Sequence, residues 1–351
     1  MNTELHARTP IIAAMDRHPL TPASPLQDRQ GRRINYLRLS ITDRCDFRCT
    51  YCMGEDTRFL PHDQVMSLEE SLRLTRVFVG LGVTKVRVTG GEPLVRRNAL
   101  WLLEGIAALP GLRELVLTTN GSQLVRYADD LRRAGVSRLN ISIDSLKPER
   151  FQALTRTGRL DQVLAGIEAA RSAGFKRLRL NAVLQQGVND DELEDLLAFA
   201  VAKEVDLALI EEMPLGETGL DRRHTFLSGE AAKARLAKHF DLIPSLESSD
   251  GPARYWQVAG TATRLGLISP LSQHFCETCN RVRVSANGDL NPCLGDDYAV
   301  PLLPLLRRHP EDDAPIAQAI LGSLSHKIPG HDFAAAMAQP KILRFMSRTG
   351  G

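Results

Sequence analysis

The chain has 351 residues, 43% of them apolar and 25% charged, which is the balance of an ordinary folded protein and excludes general disorder. A net charge of only +2 excludes a global attraction to nucleic acid or to an anionic membrane, so any anionic ligand must be held by a local cluster. No apolar stretch approaches the roughly 18 residues of a membrane span.

Residues 1–30 carry Pro10, Pro19, Pro22 and Pro25 among scattered charges and show no periodicity, so a disordered tail is expected. Within it, Ile11 to Met15 is too short for the apolar core of an export signal and is followed by charge and proline, which points to a cytoplasmic protein. From Tyr36 onward, short β-branched runs alternate with amphipathic stretches. The runs are 36–42, 85–89, 114–118, 138–144, 177–184 and 205–211, and the helical stretches are 68–81, 99–109, 124–134, 160–173 and 191–203. Gly82, Gly135 and Gly174 stand where helix-ending glycines belong. Such alternation predicts parallel strands joined by right-handed crossovers. Six units are too few for a closed eight-stranded barrel, so the predicted fold is α/β: an incomplete (β/α)6 TIM-like barrel over residues 31–222. After residue 222 the alternation stops. A helix over 228–240, short antiparallel strands at 255–258 and 264–268, and a hairpin turning at Asn287-Gly288 predict an α+β extension over 223–351.

Chemistry concentrates in six cysteines that fall into two triplets, Cys45/Cys49/Cys52 and Cys276/Cys279/Cys293, with none left over. Close triplets in a chain without an export signal read as metal ligands rather than disulfides. Zinc usually takes a fourth Cys or His nearby, and none lies between Cys52 and His62. Three thiolates on a four-iron cluster would instead leave one iron open. Three unrelated buried thiols, or an adventitious zinc loop, are the plainer alternatives. For the second triplet, the hairpin brings Cys293 back beside Cys276 and Cys279. A second three-cysteine cluster and a Cys3His zinc site using His274 both remain open. The ends of the predicted strands, where barrel enzymes keep their chemistry, gather polar groups: Thr42-Asp43, Gly90-Gly91-Glu92-Pro93, Thr118 to Gly121, Asn140, Ser142, Asp144, Asn181, and Glu211 to Pro214. Arg38 and Arg87 sit inside apolar strands and require a partner or a ligand. Arg281 and Arg283 share one face of the strand leaving the second triplet and suit a phosphate chain. No GxGxxG is present, so a dinucleotide fold has no support.

The spacing C-x3-C-x2-C with Tyr51 before the last cysteine resembles the cluster loop of radical S-adenosylmethionine (SAM) enzymes. Gly90-Gly91-Glu92-Pro93 resembles the element whose backbone and Glu side chain meet the SAM amino group. With Leu37 to Cys45, Leu117 to Gly121, Cys276-x2-Cys279-Asn280-Arg281-Val282-Arg283 and the final Gly350-Gly351, the chain from about Gly31 onward resembles the GTP 3′,8-cyclase family. That resemblance implies SAM and two [4Fe-4S] clusters, one on Cys45, Cys49 and Cys52 and one on Cys276, Cys279 and Cys293. It implies SAM contacts from Tyr51, Gly91, Ser142 and Met213. GTP contacts are implied for Arg38, Arg87, Thr118, Arg179, Arg281, Val282 and Arg283, and catalytic roles for Arg281, Arg283, Gly350 and Gly351. The implied reaction is hydrogen abstraction from C3′ of GTP and attack of C3′ on C8, the opening step of molybdenum cofactor biosynthesis. A reductant such as flavodoxin or ferredoxin would feed it, and cyclic pyranopterin monophosphate synthase would take the product. A homodimer is compatible, and neither membrane nor nucleic acid is expected as a partner. Two positions depart from the family pattern: Arg179 replaces a lysine, and Ala208 replaces an arginine. The rivals are a radical SAM enzyme acting on a peptide or another small molecule, which would not need the arginine set, and a zinc-stabilised nucleic-acid-binding protein, which would need a basic surface.

Overall fold

A computed structural model describes residues 26–350 apart from Glu55, Lys176, Leu220 and residues 248–250. Strands β1 (Tyr36–Ser40), β2 (Lys85–Thr89), β3 (Glu114–Thr119), β4 (Arg138–Ser142), β5 (Leu178–Leu184) and β6 (Asp206–Glu211) lie side by side in chain order, all parallel. The helices between and after them are α1 (Leu68–Gly80), α2 (Ala99–Ala107), α3 (Leu124–Arg133), α4 (Pro148–Thr155), α5 (Leu160–Ser172), α6 (Leu193–Ala202) and α7 (Gly229–Leu236). Alternation along each strand divides the residues between two faces. Leu37, Leu39, Val86, Val88, Leu115, Leu117, Leu139 and Ile141 join Leu74, Phe78, Leu102, Ile106, Leu131 and Ile167 in one apolar core. The intervening Arg38, Arg87, Asn140 and Arg179 face the concave side. Helix starts and stops follow the sequence. Ser67 and Glu70 form a reciprocal capping box on α1, and Gly82, Gly135 and Gly174 all take positive φ.

The extension completes the same sheet rather than building a second one. Strands β8 (Arg254–Val258) and β9 (Arg264–Ile268) pair antiparallel as expected, with an unpredicted β7 (Leu242–Ser245) antiparallel to β8, and β9 also lies parallel against β6. At the other edge β10 (Arg281–Val284) lies parallel against β1, and β11 (Asp289–Asn291) and β12 (Val300–Pro301) fold back from it. The order is therefore β12-β11-β10-β1-β2-β3-β4-β5-β6-β9-β8-β7, continuous across residue 222. An open barrel leaves β1 and β6 with unpaired main-chain groups, and the extension satisfies both edges. Helices α8 (Leu303–Arg308) and α9 (Ala314–Ser323) cover α1, tied by Arg73 to the carbonyls of Leu306 and His309 and to Asp313. A last turn, α10 (Met346–Thr349), ends beside β1.

Residues 26–30, assigned by composition to the tail, are packed: Leu26 is buried, Ile34 N donates to Leu26 O, and Asp28 pairs with Arg32. The rest of the expected tail lies outside the described residues.

Candidate active site

All six cysteines line one cavity, together with Arg38, Arg87, Arg179, Arg281 and Arg283. The first triplet is shaped from below by α4, a two-turn helix opened by Pro148. Arg48 N and Thr50 N donate to Thr155 O and Leu154 O at the end of α4, both at 2.9 Å, and Phe47 meets Phe151 edge-on at 5.9 Å. Cys52 N and Met53 N both turn back to Cys49 O. From the side, Gly91 N donates to Thr42 O and Glu92 N to Arg44 O, each at 2.8 Å. A Cβ on Gly91 would stand 2.3 Å from Arg44 O, so only glycine lets β2 press this closely on the loop. Tyr51 reaches across to Asp144 (2.6 Å), whose other oxygen accepts from Val183 N. Burial pushes the Asp144 carboxyl up to about 6.

The donor sets fit iron-sulfur clusters. Burial holds the Cys45 thiol far above its ordinary range, and a hydrogen bond with Cys52 followed by burial does the same for Cys49, so these thiols act as ligands only when a cation offsets the burial. Among the described residues only His274, Cys276 and His331 bring three ligating atoms within 4.8 Å of one another. Neither cysteine triplet is therefore closed around a single ion, whereas a four-iron cluster needs its thiolates spread. At the second triplet, burial would raise Cys279, but Arg281 and Lys327 outweigh it and bring the thiol down to about 7.

Between the triplets lies a row of cations. Arg283, Arg38 and Arg87 are adjacent in register across β10, β1 and β2. Burial and then the neighbouring Arg283 lower Arg38, while burial and then Arg281 bring Arg283 down to about 10. Cations stacked this way destabilise one another and favour an anion among them. Burial alone would raise the Tyr36 phenol; Arg87, Arg38 and Lys85 override it and lower it to about 7. Arg87 donates to Tyr36 Oη and to Thr118 Oγ1 (2.9 Å). With its amide turned to suit the network, Asn140 Oδ1 accepts from Arg87 Nη1 (2.6 Å) and Arg179 Nη2 (2.5 Å). Arg179 is further held by Asn181 Oδ1 and Tyr255 Oη, both at 3.0 Å.

The comparisons with known proteins agree with this geometry. Residues 39–200 match the radical SAM superfamily and residues 205–333 match Molybdenum Cofactor Synthesis C. GTP 3′,8-cyclase 1 of Pseudomonas aeruginosa is 55% identical over 92% of this chain and 98% of its own length. The chain belongs to the GTP 3′,8-cyclase family. The GTP 3′,8-cyclase of Pseudomonas entomophila is 54% identical over 96% of this chain and its whole length. Among solved structures, Streptococcus suis SuiB bound to S-adenosylmethionine covers 90% of this chain, and this chain covers 77% of it, at TM-score 0.59 and 15% identity, a likeness of fold.

Of the cyclase-family positions, Tyr51, Gly91, Ser142, Met213, Arg38, Arg87, Thr118, Arg179, Arg281 and Arg283 line the cavity with the six cysteines. Val282 does not: strand alternation turns its side chain into the apolar core, leaving only its main chain toward a nucleotide. Glu92 also departs from expectation. Its carboxylate is fully buried, accepting from Leu94 N, Thr119 Oγ1 and Asn120 N, so it ties β2 to β3 instead of facing the cavity. Gly350 O accepts from Arg283 Nη1 at 3.1 Å, while Gly351 lies outside the described residues. Ala208 is buried beside Asn181 and Gly266, and the Tyr255 ring lies over Gly266. Tyr36, Lys85, Tyr255 and Lys327 were not assigned from sequence, whereas Asn140 was placed among the polar groups at the strand ends. Period-two spacing from Arg38 and Arg87 points to Tyr36 and Lys85; no comparable signal exists for Tyr255 or Lys327.

Proposed function

We propose that this chain performs its family's reaction, the radical SAM cyclisation of GTP to (8S)-3′,8-cyclo-7,8-dihydroguanosine 5′-triphosphate, the first step of molybdenum cofactor biosynthesis. The observation that carries the reading is the convergence of two three-cysteine loops and a row of arginines on one cavity. Cys45, Cys49 and Cys52 would hold the SAM cluster, with Tyr51, Gly91, Ser142 and Met213 around SAM. Cys276, Cys279 and Cys293 would hold the second cluster. Once bound, SAM and its cluster supply the electron and the hydrogen-abstracting radical.

The protein's part is positioning and charge. Arg38, Arg87, Arg179, Arg281 and Arg283 neutralise and orient the triphosphate. Thr118 holds Arg87, and the Gly350 carbonyl steers Arg283. Apolar neighbours such as Phe275, Ile210 and Met346 limit water at the cavity wall. In this scheme residues 31–222 form the radical SAM barrel with its SAM cluster, residues 223–351 carry the second cluster and the Gly-Gly tail, and arginines of both segments hold the nucleotide. Flavodoxin or ferredoxin as reductant, cyclic pyranopterin monophosphate synthase as consumer and a homodimeric state complete the proposal. So does a cytoplasmic location, supported by six cysteines that form no disulfide; no helix among the described residues is long and apolar enough to cross a membrane.

Anaerobic reconstitution followed by incubation with GTP, SAM and dithionite tests the reading. The expected outcome is brown protein, 5′-deoxyadenosine and the cyclised nucleotide in step. Colourless protein holding stoichiometric zinc would reject it.

A further inference from the structure

The C-terminal cysteine triplet is organised around a buried ammonium. Lys327 is 2% exposed. Its Nζ donates to Pro292 O (2.6 Å), Arg281 O (2.9 Å) and Cys279 Sγ (3.6 Å). Those acceptors use all three N–H bonds of an ammonium. None is a carboxylate, and among the described residues Lys327 forms no ion pair with an acidic side chain.

A full charge buried among carbonyl dipoles is strongly unfavourable unless an anion stands nearby. The anion at hand is the triplet itself. Cys279 is bonded directly, Arg281 follows it by two residues, and Pro292 immediately precedes Cys293. One ammonium thus ties both cysteine-bearing segments at their main chain and faces their sulfur. Three thiolates outweigh the positive charge of an oxidised four-iron core, so the assembled cluster is anionic, and each added electron makes it more so. A fixed cation favours the reduced form, and an N–H···S contact withdraws electron density from the ligand in the same direction.

We propose that Lys327 is a positioning residue that supplies the counter-charge of the C-terminal cluster and holds its reduction potential up. The proposal rests on the two-cluster reading above.

The test is an EPR-monitored redox titration of the reconstituted full-length protein, in which the signal perturbed by GTP reports the C-terminal cluster and the signal perturbed by SAM reports the other. Lys327→Gln keeps an amide donor for the carbonyls but removes the charge; Lys327→Arg keeps the charge. In Lys327→Gln the one-electron equilibrium of the GTP-sensitive cluster should shift about ten-fold toward the oxidised form, about 59 mV lower. The SAM-sensitive cluster should be unmoved, and Lys327→Arg should recover most of the shift. A Lys327→Gln protein with wild-type iron content and a midpoint within three-fold of wild type would overturn the proposal, as would equal shifts in both variants. If Lys327→Gln fails to take up the second cluster, uptake by Lys327→Arg supports the counter-charge, and failure of both at unchanged thermal stability overturns it. A wild-type protein without any GTP-sensitive iron signal would instead remove the cluster reading on which the proposal stands.

Discussion

At the residue scale, the arginine at position 179, where the resemblance implies a lysine, is accounted for by its partners. Arg179 spreads three contacts over Asn140, Asn181 and Tyr255, a fork that a lysine point charge cannot reproduce. Two of its five N–H groups remain for a ligand. Tyr255 also lies over Gly266, next to the small Ala208, so the space expected for a strand-six arginine is taken by the phenol that holds Arg179. A charge-assisted contact contributes about 1.5–3 kcal/mol, so Arg179→Ala should weaken GTP binding by about ten-fold or more. Tyr255→Phe should weaken it by a smaller factor. Calorimetric titration of each variant with GTP decides this, and unchanged affinity in Arg179→Ala would make the residue structural only. Glu92 gives a prediction of different kind. Burial lifts its carboxyl to about 8, so between its ordinary value and 8 the folded chain binds more protons than the unfolded one. The sign is then fixed: this group's contribution is complete below the ordinary carboxylate range and is lost as pH rises through 8. Tyr36 and Cys279, held low in the fold, act in the opposite sense over the same range, so the difference between variants is the readout: from pH 6 to pH 9 the melting temperature of cluster-free Glu92→Gln should rise relative to that of cluster-free wild type.

At the scale of elements, the strands were legible because each is a short β-branched run, and the cysteine loops because metal-ligand spacing is local. Helix α4 was not, since two turns begun by proline give too short a period to register, yet its last carbonyls carry the first cysteine loop. The pairing of β10 with β1 was also hidden, because the partner strand lies more than 200 residues away and nothing in either run specifies the other. That pairing decides the site: it sets Arg283 level with Arg38, and just beyond β10 Ala286 N donates to Arg348 O of α10, whose end lies against Thr89 of β2. The tail then depends on glycine. Gly350 has φ +78, and a Cβ there would stand 2.1 Å from Thr89 Cγ2. The backbone term alone costs roughly 1–2 kcal/mol, and the collision adds to it. Gly350→Ala should displace the tail from Arg283 and cut cyclised product by about ten-fold or more, while the melting temperature and SAM cleavage stay near wild type. A matched loss of SAM cleavage would place the tail in the SAM site instead.

At the scale of the molecule, a single sheet joins two halves whose cysteine loops rest, among the described residues, on different elements. The first loop rests on α4, β2 and β3, and the second on β10, β11 and Lys327. Damage to the second should therefore leave the first intact. Cys293→Ala removes one thiolate from the C-terminal set without touching any hydrogen bond to Cys45, Cys49 or Cys52. Reduced Cys293→Ala protein should still release 5′-deoxyadenosine from SAM but form almost no cyclised nucleotide, since a misplacement of about 1 Å costs on the order of a hundred-fold in rate. Arg283→Ala should uncouple in the same sense while keeping both clusters, because the nucleotide then loses its hold rather than its metal. If the second triplet only staples the extension, the pattern differs: β10 separates from β1, the edge of the sheet opens, and melting temperature falls together with both activities. Measuring 5′-deoxyadenosine, cyclised product, iron content and thermal melting on one preparation of each variant distinguishes the two. A Cys293→Ala protein that melts normally and cyclises GTP at the wild-type rate would exclude a nucleotide-side cluster altogether.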